Sequence, residues 1–379
     1  MGPSVLRAGL VLALPIATAW FAMGTQAAPP SAKEALVREL GALSVTIDGS
    51  AHKLESLIVR PPGEGPFPLA VIAHGAPRDA AQRGRFAVSS LGPQAEEMAR
   101  RGWAAAVVLR RGFGTSTGRV AEDAGPCGRP NYVAAGREGA KDLRAIVESL
   151  RAQPYVDPSR VLIVGVSAGG FAALATAADP PDGLRAVISF AGGRGSPAPG
   201  VVCEDQALVR AFGAFGETVR VPTLWVYAEN DSYFSPGLVH RFHDAFVASG
   251  GRAELVVVGP FGEDGHTLFS RRGTAIWRPL VDDFLRKVGL PTWDAPPADT
   301  PQAELPPPHE LVSEAGRKAW SDFLGGAPSK AFAVGPGGAW GWRAGRNSLD
   351  DARRQALDSC QRNGARCRVV AEDDALVTP

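Results

Sequence analysis

Two serines in this 379-residue chain sit between glycines in the pattern G-x-S-x-G: Ser116, in Gly114-Thr115-Ser116-Thr117-Gly118, and Ser167, in Gly165-Val166-Ser167-Ala168-Gly169. The pattern suits a serine hydroxyl exposed on a tight strand-to-helix turn, where the residues two before and two after it must be small. With 45 glycines in the chain a chance match is common, so the flanking residues decide. Residues 161–166 read as a buried strand, and residues 169–178 as an Ala-rich helix stopped by Asp179-Pro180-Pro181. Ser116 follows Arg110-Arg111-Gly112-Phe113 and leads into no long apolar helix face, so it reads as a loop serine. Ser167 is therefore the predicted nucleophile.

A serine hydroxyl needs a base to take its proton and an acid to orient that base. On such a turn the expected chain order is Ser, acid, His, with the partners in loops at the carboxyl ends of later strands. Asp231, in Tyr227-Ala228-Glu229-Asn230-Asp231, is the predicted acid, with Glu229 as the alternative. Of the six histidines, only His266 follows the last predicted strand in a Gly-rich loop, Gly262-Glu263-Asp264-Gly265-His266, and it is the predicted base. His240 and His243 fall on a helix, and His74, in Ile72-Ala73-His74-Gly75-Ala76-Pro77, reads as a structural residue of its loop. The backbone amides of Ala76 and Ala168 are the candidate donors for an oxyanion. Tyr233 and Phe234, just after Asp231, are expected either to line the substrate pocket or to pack in the core.

These residues need a frame that brings strand ends together. Between residues 43 and 290, short apolar runs alternate with helical ones, which predicts an α/β fold: a mostly parallel sheet of about eight strands with helices on both faces. Its first two or three strands are expected to be antiparallel. The run 69–73 is apolar throughout, as befits a strand buried on both faces. In residues 139–150, Leu143, Ile146, Val147 and Leu150 follow the i, i+3, i+4, i+7 spacing of one helix face.

His74-Gly75, Gly165–Gly169, Asp231 and Asp264-Gly265-His266, in this order over residues 40 to 290, resemble the α/β-hydrolase family. Within it the chain looks most like the dienelactone-hydrolase-like and prolyl-oligopeptidase-like branches, and Asp157-Pro158-Ser159-Arg160 is similar to their approach to the nucleophile strand. It departs from the first in having serine where those enzymes have a nucleophilic cysteine, and from the second in lacking a large N-terminal propeller. The resemblance implies a serine hydrolase acting on carboxylic esters of small molecules. A serine peptidase or amidase, and a non-catalytic binding protein on the same fold, are the alternatives.

Residues 1–27 read as a secretory signal peptide, with Arg7 as the only charge, an apolar stretch after it, and Thr25-Gln26-Ala27 before the cut. A periplasmic or secreted location without a stable membrane anchor is expected. The four cysteines of an exported chain suggest disulfides. Cys360 and Cys367 bracket one short turn, which leaves Cys127 and Cys203 to join two long loops. Residues 28–290 form the predicted catalytic domain and residues 291–308 a Pro-rich linker. Residues 309–379 form an α+β module, small for a free-standing core, so that a disulfide is useful there. In it Ser348-Leu349-Asp350-Asp351 signals a helix start. The module is expected either to bind a partner or cell-wall component or to brace the hydrolase. A formal charge of +1 gives no footprint for nucleic acid. No H-E-x-x-H, P-loop lysine or dinucleotide fingerprint in a strand–helix context is present, so no metal and no cofactor is expected.

Overall fold

A computed structural model describes residues 1–2, 36–292, 305–364 and 366–377. Most of the predicted signal peptide and of the predicted linker lies outside the described residues. The first eight strands are β1 (Val37–Ile47), β2 (Ser50–Arg60), β3 (Phe67–Ala73), β4 (Ala104–Val108), β5 (Val156–Val166), β6 (Leu184–Phe190), β7 (Thr223–Ala228) and β8 (Ala253–Val258). They form one sheet in the order β1-β2-β4-β3-β5-β6-β7-β8. β2 runs against both of its neighbours, and from β4 onward all pairs are parallel. This is the α/β-hydrolase fold that the sequence predicts.

Six helices accompany the sheet: α1 (Gly92–Arg100), α2 (Tyr132–Arg151), α3 (Ala168–Ala178), α4 (Asp205–Gly216), α5 (Pro236–Ala248) and α6 (Thr274–Lys287). Successive side chains of a strand point to opposite faces, and β3 divides its apolar run accordingly. Leu69, Val71 and Ala73 share a core with α2 to α5, whereas Ala70 and Ile72 share one with α1 and α6. The predicted face of α2 is buried: Leu143, Ile146, Val147 and Leu150 are at most 1% exposed, each worth about 1.5–3 kcal/mol of apolar burial. The sequence reading missed α4. Its Leu208, Ala211, Phe212 and Phe215 have helical spacing, but Gly213 and Gly216 weaken the propensity. Gly216 is needed there because a side chain would strike the Phe246 backbone.

The C-terminal module contains α7 (Glu314–Leu324), β9 (Ala331–Gly335), β10 (Ala339–Arg343), α8 (Leu349–Gln361), β11 (Arg368–Glu372) and the unpredicted two-residue β12 (Ala375–Leu376). Its sheet, ordered β10-β9-β11-β12, is antiparallel. Phe332 and Val334 pack with Trp320 and Phe323 of α7, and Ala331 and Ala333 with Ala352, Ala356 and Cys360 of α8. Ser348 caps α8 by accepting the Asp351 amide at 3.1 Å.

The module reaches β2 and two loops of the hydrolase. Asn347 donates to Glu55 Oε1 at 3.0 Å and accepts from the Ser89 hydroxyl at 3.2 Å, and Arg346 donates to the Arg85 carbonyl at 2.9 Å. On the other side Lys318 pairs with Glu263 at 3.1 Å, Asp322 with Arg272 at 3.3 Å and Asp374 with Arg271 at 3.3 Å. Glu55 is a hub: its carboxylate also accepts the amides of Val88 and Thr115 and the Thr115 hydroxyl. Burial opposes its ionisation, but these donors and Asn347 outweigh it and hold the carboxyl below its ordinary range.

Candidate active site

β5 ends at Val166, α3 begins at Ala168, and Ser167 alone makes the turn, at φ 56° and ψ −123°. Such a conformation in a residue with a Cβ costs about 1–3 kcal/mol. The turn works only because its neighbours are bare. A side chain at Gly165 would strike the Gly169 carbonyl, and one at Gly169 the carbonyls of Ala73 and His74. Ser167 is anchored through its backbone: its amide donates to Phe190 at 2.9 Å, and its carbonyl accepts from Phe171 at 3.0 Å and Gly193 at 3.1 Å. Gly75 lies so close that a Cβ there would be 3.1 Å from Ser167 Cβ, which places the loop after β3 beside the serine.

Asp231 follows β7, and its carboxylate is fully buried. It accepts the amides of Tyr233 at 2.7 Å and Phe234 at 3.1 Å, and lies 3.0 Å from His266 Nδ1. The pairing is possible because Asp264 ties the two loops. Its carboxylate accepts the amides of His266 at 3.0 Å and Ser232 at 2.9 Å, and the Ser232 hydroxyl at 2.6 Å. Burial works against this carboxylate's charge, but the Ser232 and His266 donors outweigh it and hold its pKa below the ordinary value. Glu229, the alternative acid, is exposed. His240 and His243 lie on α5.

The His266 ring stacks on Tyr233 with centroids 3.7 Å apart and planes 14° apart. The Arg78 guanidinium lies 3.5 Å from the same Tyr233 centroid. Two groups this near cannot share one face, so the tyrosine is sandwiched between them. The sequence reading gives Arg78 no role and Asp264 only a place in the motif beside His266. Each acts on a residue about 155 or 32 positions away, and no local pattern carries that information.

Ser167, Ala76, Ala168, Tyr233 and Phe234 line one cavity of about 210 Å³, together with Arg78, Arg83, Arg194, Ser196 and Cys203 among others. The loop after β3 is fixed from beneath. His74 donates from Nδ1 to the Gly75 carbonyl at 2.6 Å and accepts the Arg110 amide on Nε2 at 2.9 Å. Burial, aided by Arg110, pushes its pKa well down, so it is a neutral strut. Arg110 in turn forms a bidentate pair with buried Glu122, at 2.8 and 2.9 Å, which Arg194 also contacts at 3.1 Å. Ser116 is structural: its hydroxyl donates to the Leu109 carbonyl at 2.8 Å and accepts the Glu55 amide at 2.9 Å.

Two disulfides are present, Cys127–Cys203 and Cys360–Cys367, as the spacing predicts. The first closes 76 residues of chain and brings a cavity-lining residue to the loop before α2. Replacing both Cys127 and Cys203 by Ala is expected to lower stability by about 2–4 kcal/mol, and replacing Cys360 and Cys367 by less, because the shorter loop loses less unfolded-state entropy. Urea melts of the two double variants check this; equal losses would contradict it.

Among the described residues no group of His, Cys, Asp and Glu is placed to hold a metal, and no helix is long and apolar enough to cross a membrane.

The family model described as X-Pro dipeptidyl-peptidase (S15 family) matches residues 48–221. The chain is 32% identical over 147 residues to the quorum-quenching protein AidA of Acinetobacter baumannii (strain MDR-ZJ06); the match covers 39% of this chain and 42% of that protein, so it spans less than half of this curated relative. Among solved structures, the Pyrococcus furiosus esterase Pf2001 is 16% identical with a TM-score of 0.49, over 66% of this chain and 92% of that one. Thermogutta terrifontis esterase 2, solved with butyrate bound, is 18% identical with a TM-score of 0.44, over 67% and 95%.

Proposed function

We propose that this α/β-hydrolase fold, related to the esterase-like, dienelactone-hydrolase-like and S15-peptidase-like branches, is an exported serine hydrolase that cleaves carboxylic esters of small molecules through an acyl-enzyme. One observation carries the reading: the strained Ser167 turn opens into the same cavity as Tyr233, which stacks on the Asp231-bound His266. Asp231 holds the Nδ1–H tautomer, which leaves Nε2 to take the Ser167 proton as Oγ bonds to the ester carbonyl carbon. The carbonyl oxygen becomes an oxyanion facing the amides of Ala76 and Ala168, the latter at the N-terminus of α3, where unpaired amides favour negative charge. His266 then returns the proton to the departing alcohol. Water enters, gives its proton to His266 and attacks the acyl carbon, and Ser167 leaves with that proton restored.

The S15 match favours a second reading, cleavage of peptide bonds after an N-terminal dipeptide. A dipeptidyl-peptidase must hold its substrate's free ammonium group. The cavity lining has three arginines and no carboxylate, which supports the ester reading instead. Export is supported by the signal-like N-terminus and by two disulfides, a feature of oxidising compartments. The C-terminal module is proposed as a brace, from its contacts to residues 55, 85 and 89 on one side and 263, 271 and 272 on the other.

The test is covalent labelling. A fluorophosphonate is expected to add to one residue, Ser167, by mass spectrometry of the digested protein, with no adduct in Ser167→Ala. An unlabelled Ser167 would place the chain among non-catalytic binding proteins of this fold.

A further inference from the structure

Three arginines and no acidic residue line the cavity beside Ser167, and from this we infer, resting on the ester-hydrolase reading, that the substrate carries an ionised carboxylate next to the bond that is cut.

Among the described residues Arg78 has only neutral partners: the Ser196 hydroxyl at 3.3 Å, the Ser232 carbonyl at 3.0 Å and hydroxyl at 3.2 Å, and the Tyr233 ring. Its Nε is buried without a hydrogen bond. Arg83 likewise has a buried, unbonded Nε, and among the described residues no ion pair neutralises it. Arg194 does meet an acid, Glu122, but that one carboxylate also serves Arg110, so the group keeps a net positive charge. The other nearby acids are engaged elsewhere, Asp231 with His266 and Asp264 with Ser232.

Like charges gathered round one small cavity repel. That cost falls when an anion enters. A planar carboxylate matches the guanidinium fork and takes two parallel hydrogen bonds from it. A neutral ester offers acceptors but no charge, and a cationic substrate adds to the repulsion. The positions also fit. Arg78 lies two residues beyond Ala76, and Arg194 lies on the loop after β6 that bonds the Ser167 carbonyl through Gly193. The volume of about 210 Å³ is below the ~300–1,000 Å³ of drug-sized sites, so the anion and the scissile ester belong to one short molecule.

The experiment compares kcat/KM for matched ester pairs. One pair places the charge on the acyl side: mono-4-nitrophenyl glutarate against its methyl ester. The other places it on the alcohol side: 4-carboxyphenyl acetate against 4-carbamoylphenyl acetate. The charged member is expected to win by about 10-fold or more in one pair, which tells the side. That ratio is expected to shrink with added salt and to fall toward one in Arg83→Gln and in Arg78→Gln. Arg83→Lys, which keeps the charge without the fork, serves if the glutamine variants fail to fold. Neutral esters as good as charged ones in both pairs, with Ser167 still labelled by fluorophosphonate, overturn this inference alone. No labelling and no turnover of any ester overturn the hydrolase reading with it.

Discussion

Ser167→Ala is expected to lower kcat/KM on a short-chain aryl ester by about 10⁴-fold or more, the scale on which loss of a triad nucleophile is felt. On the proposed mechanism the residual rate comes from the proposed oxyanion donors and from binding, which the substitution leaves in place. Ser167→Gly is expected to be as inactive, yet more stable than Ser167→Ala. Alanine keeps a Cβ at φ 56°, whereas glycine removes that penalty of about 1–3 kcal/mol and gives back about 0.5–1 kcal/mol in unfolded-state entropy. The net is roughly 1 kcal/mol, visible as a rise of a few degrees in melting temperature. Paired ester assays and calorimetry of the two variants check both halves. A glycine variant melting below the alanine one would show that the turn stores no strain.

Glu122→Gln is expected to destabilise the protein by about 3–5 kcal/mol, because it leaves the guanidiniums of Arg110 and Arg194 buried without their anion. The pH dependence has a definite sign. Burial disfavours the Glu122 carboxylate, but Arg110 and Arg194 more than compensate and bring its pKa from 4.5 to about 2. A carboxyl whose folded pKa is depressed binds its proton more readily in the unfolded chain. Its contribution, on the order of 3 kcal/mol, is therefore complete above about pH 4.5 and is lost as pH falls from there toward 2. Urea melts between pH 3 and 7 are expected to show a weaker acid dependence in Glu122→Gln than in the parent. Parallel acid profiles would contradict the assignment. Because Arg194 lines the cavity, the variant is also expected to lose activity.

What could be read from the sequence has a physical pattern. Strands buried on both faces leave unbroken apolar runs, as at 69–73 and 161–166, and a tight turn leaves its glycines, as at 165 and 169. Chain order then suggested Asp231 and His266, and the structure brings their side chains to 3.0 Å. Pairings that depend only on where distant loops meet left no local trace. Asn347 and Glu55 are 292 residues apart, and either one alone reads as a surface polar residue. Arg78 and Arg83 lie on the connection after β3 and Arg194 on the loop after β6, and in a chain with 40 basic residues no single one stands out. Asp264 was visible as a neighbour of His266, but its bond to Ser232 was not. The helix α4 was lost for a different reason: two glycines that permit close packing also erase the local helical signal.

The contacts between Asn347 and Glu55 also set an order in time. Synthesis proceeds from the N-terminus, so Ser167, Asp231 and His266 all exist before Lys318, Arg346 and Asn347 do. A chain halted between residues 267 and 317 holds every candidate catalytic side chain. It lacks the amide that completes the Glu55 hub, the guanidinium on the Arg85 carbonyl and the ammonium on Glu263. Residues 318–347 thus report on progress of synthesis: only a chain extended past Asn347 can close these contacts on residues 55, 85 and 263.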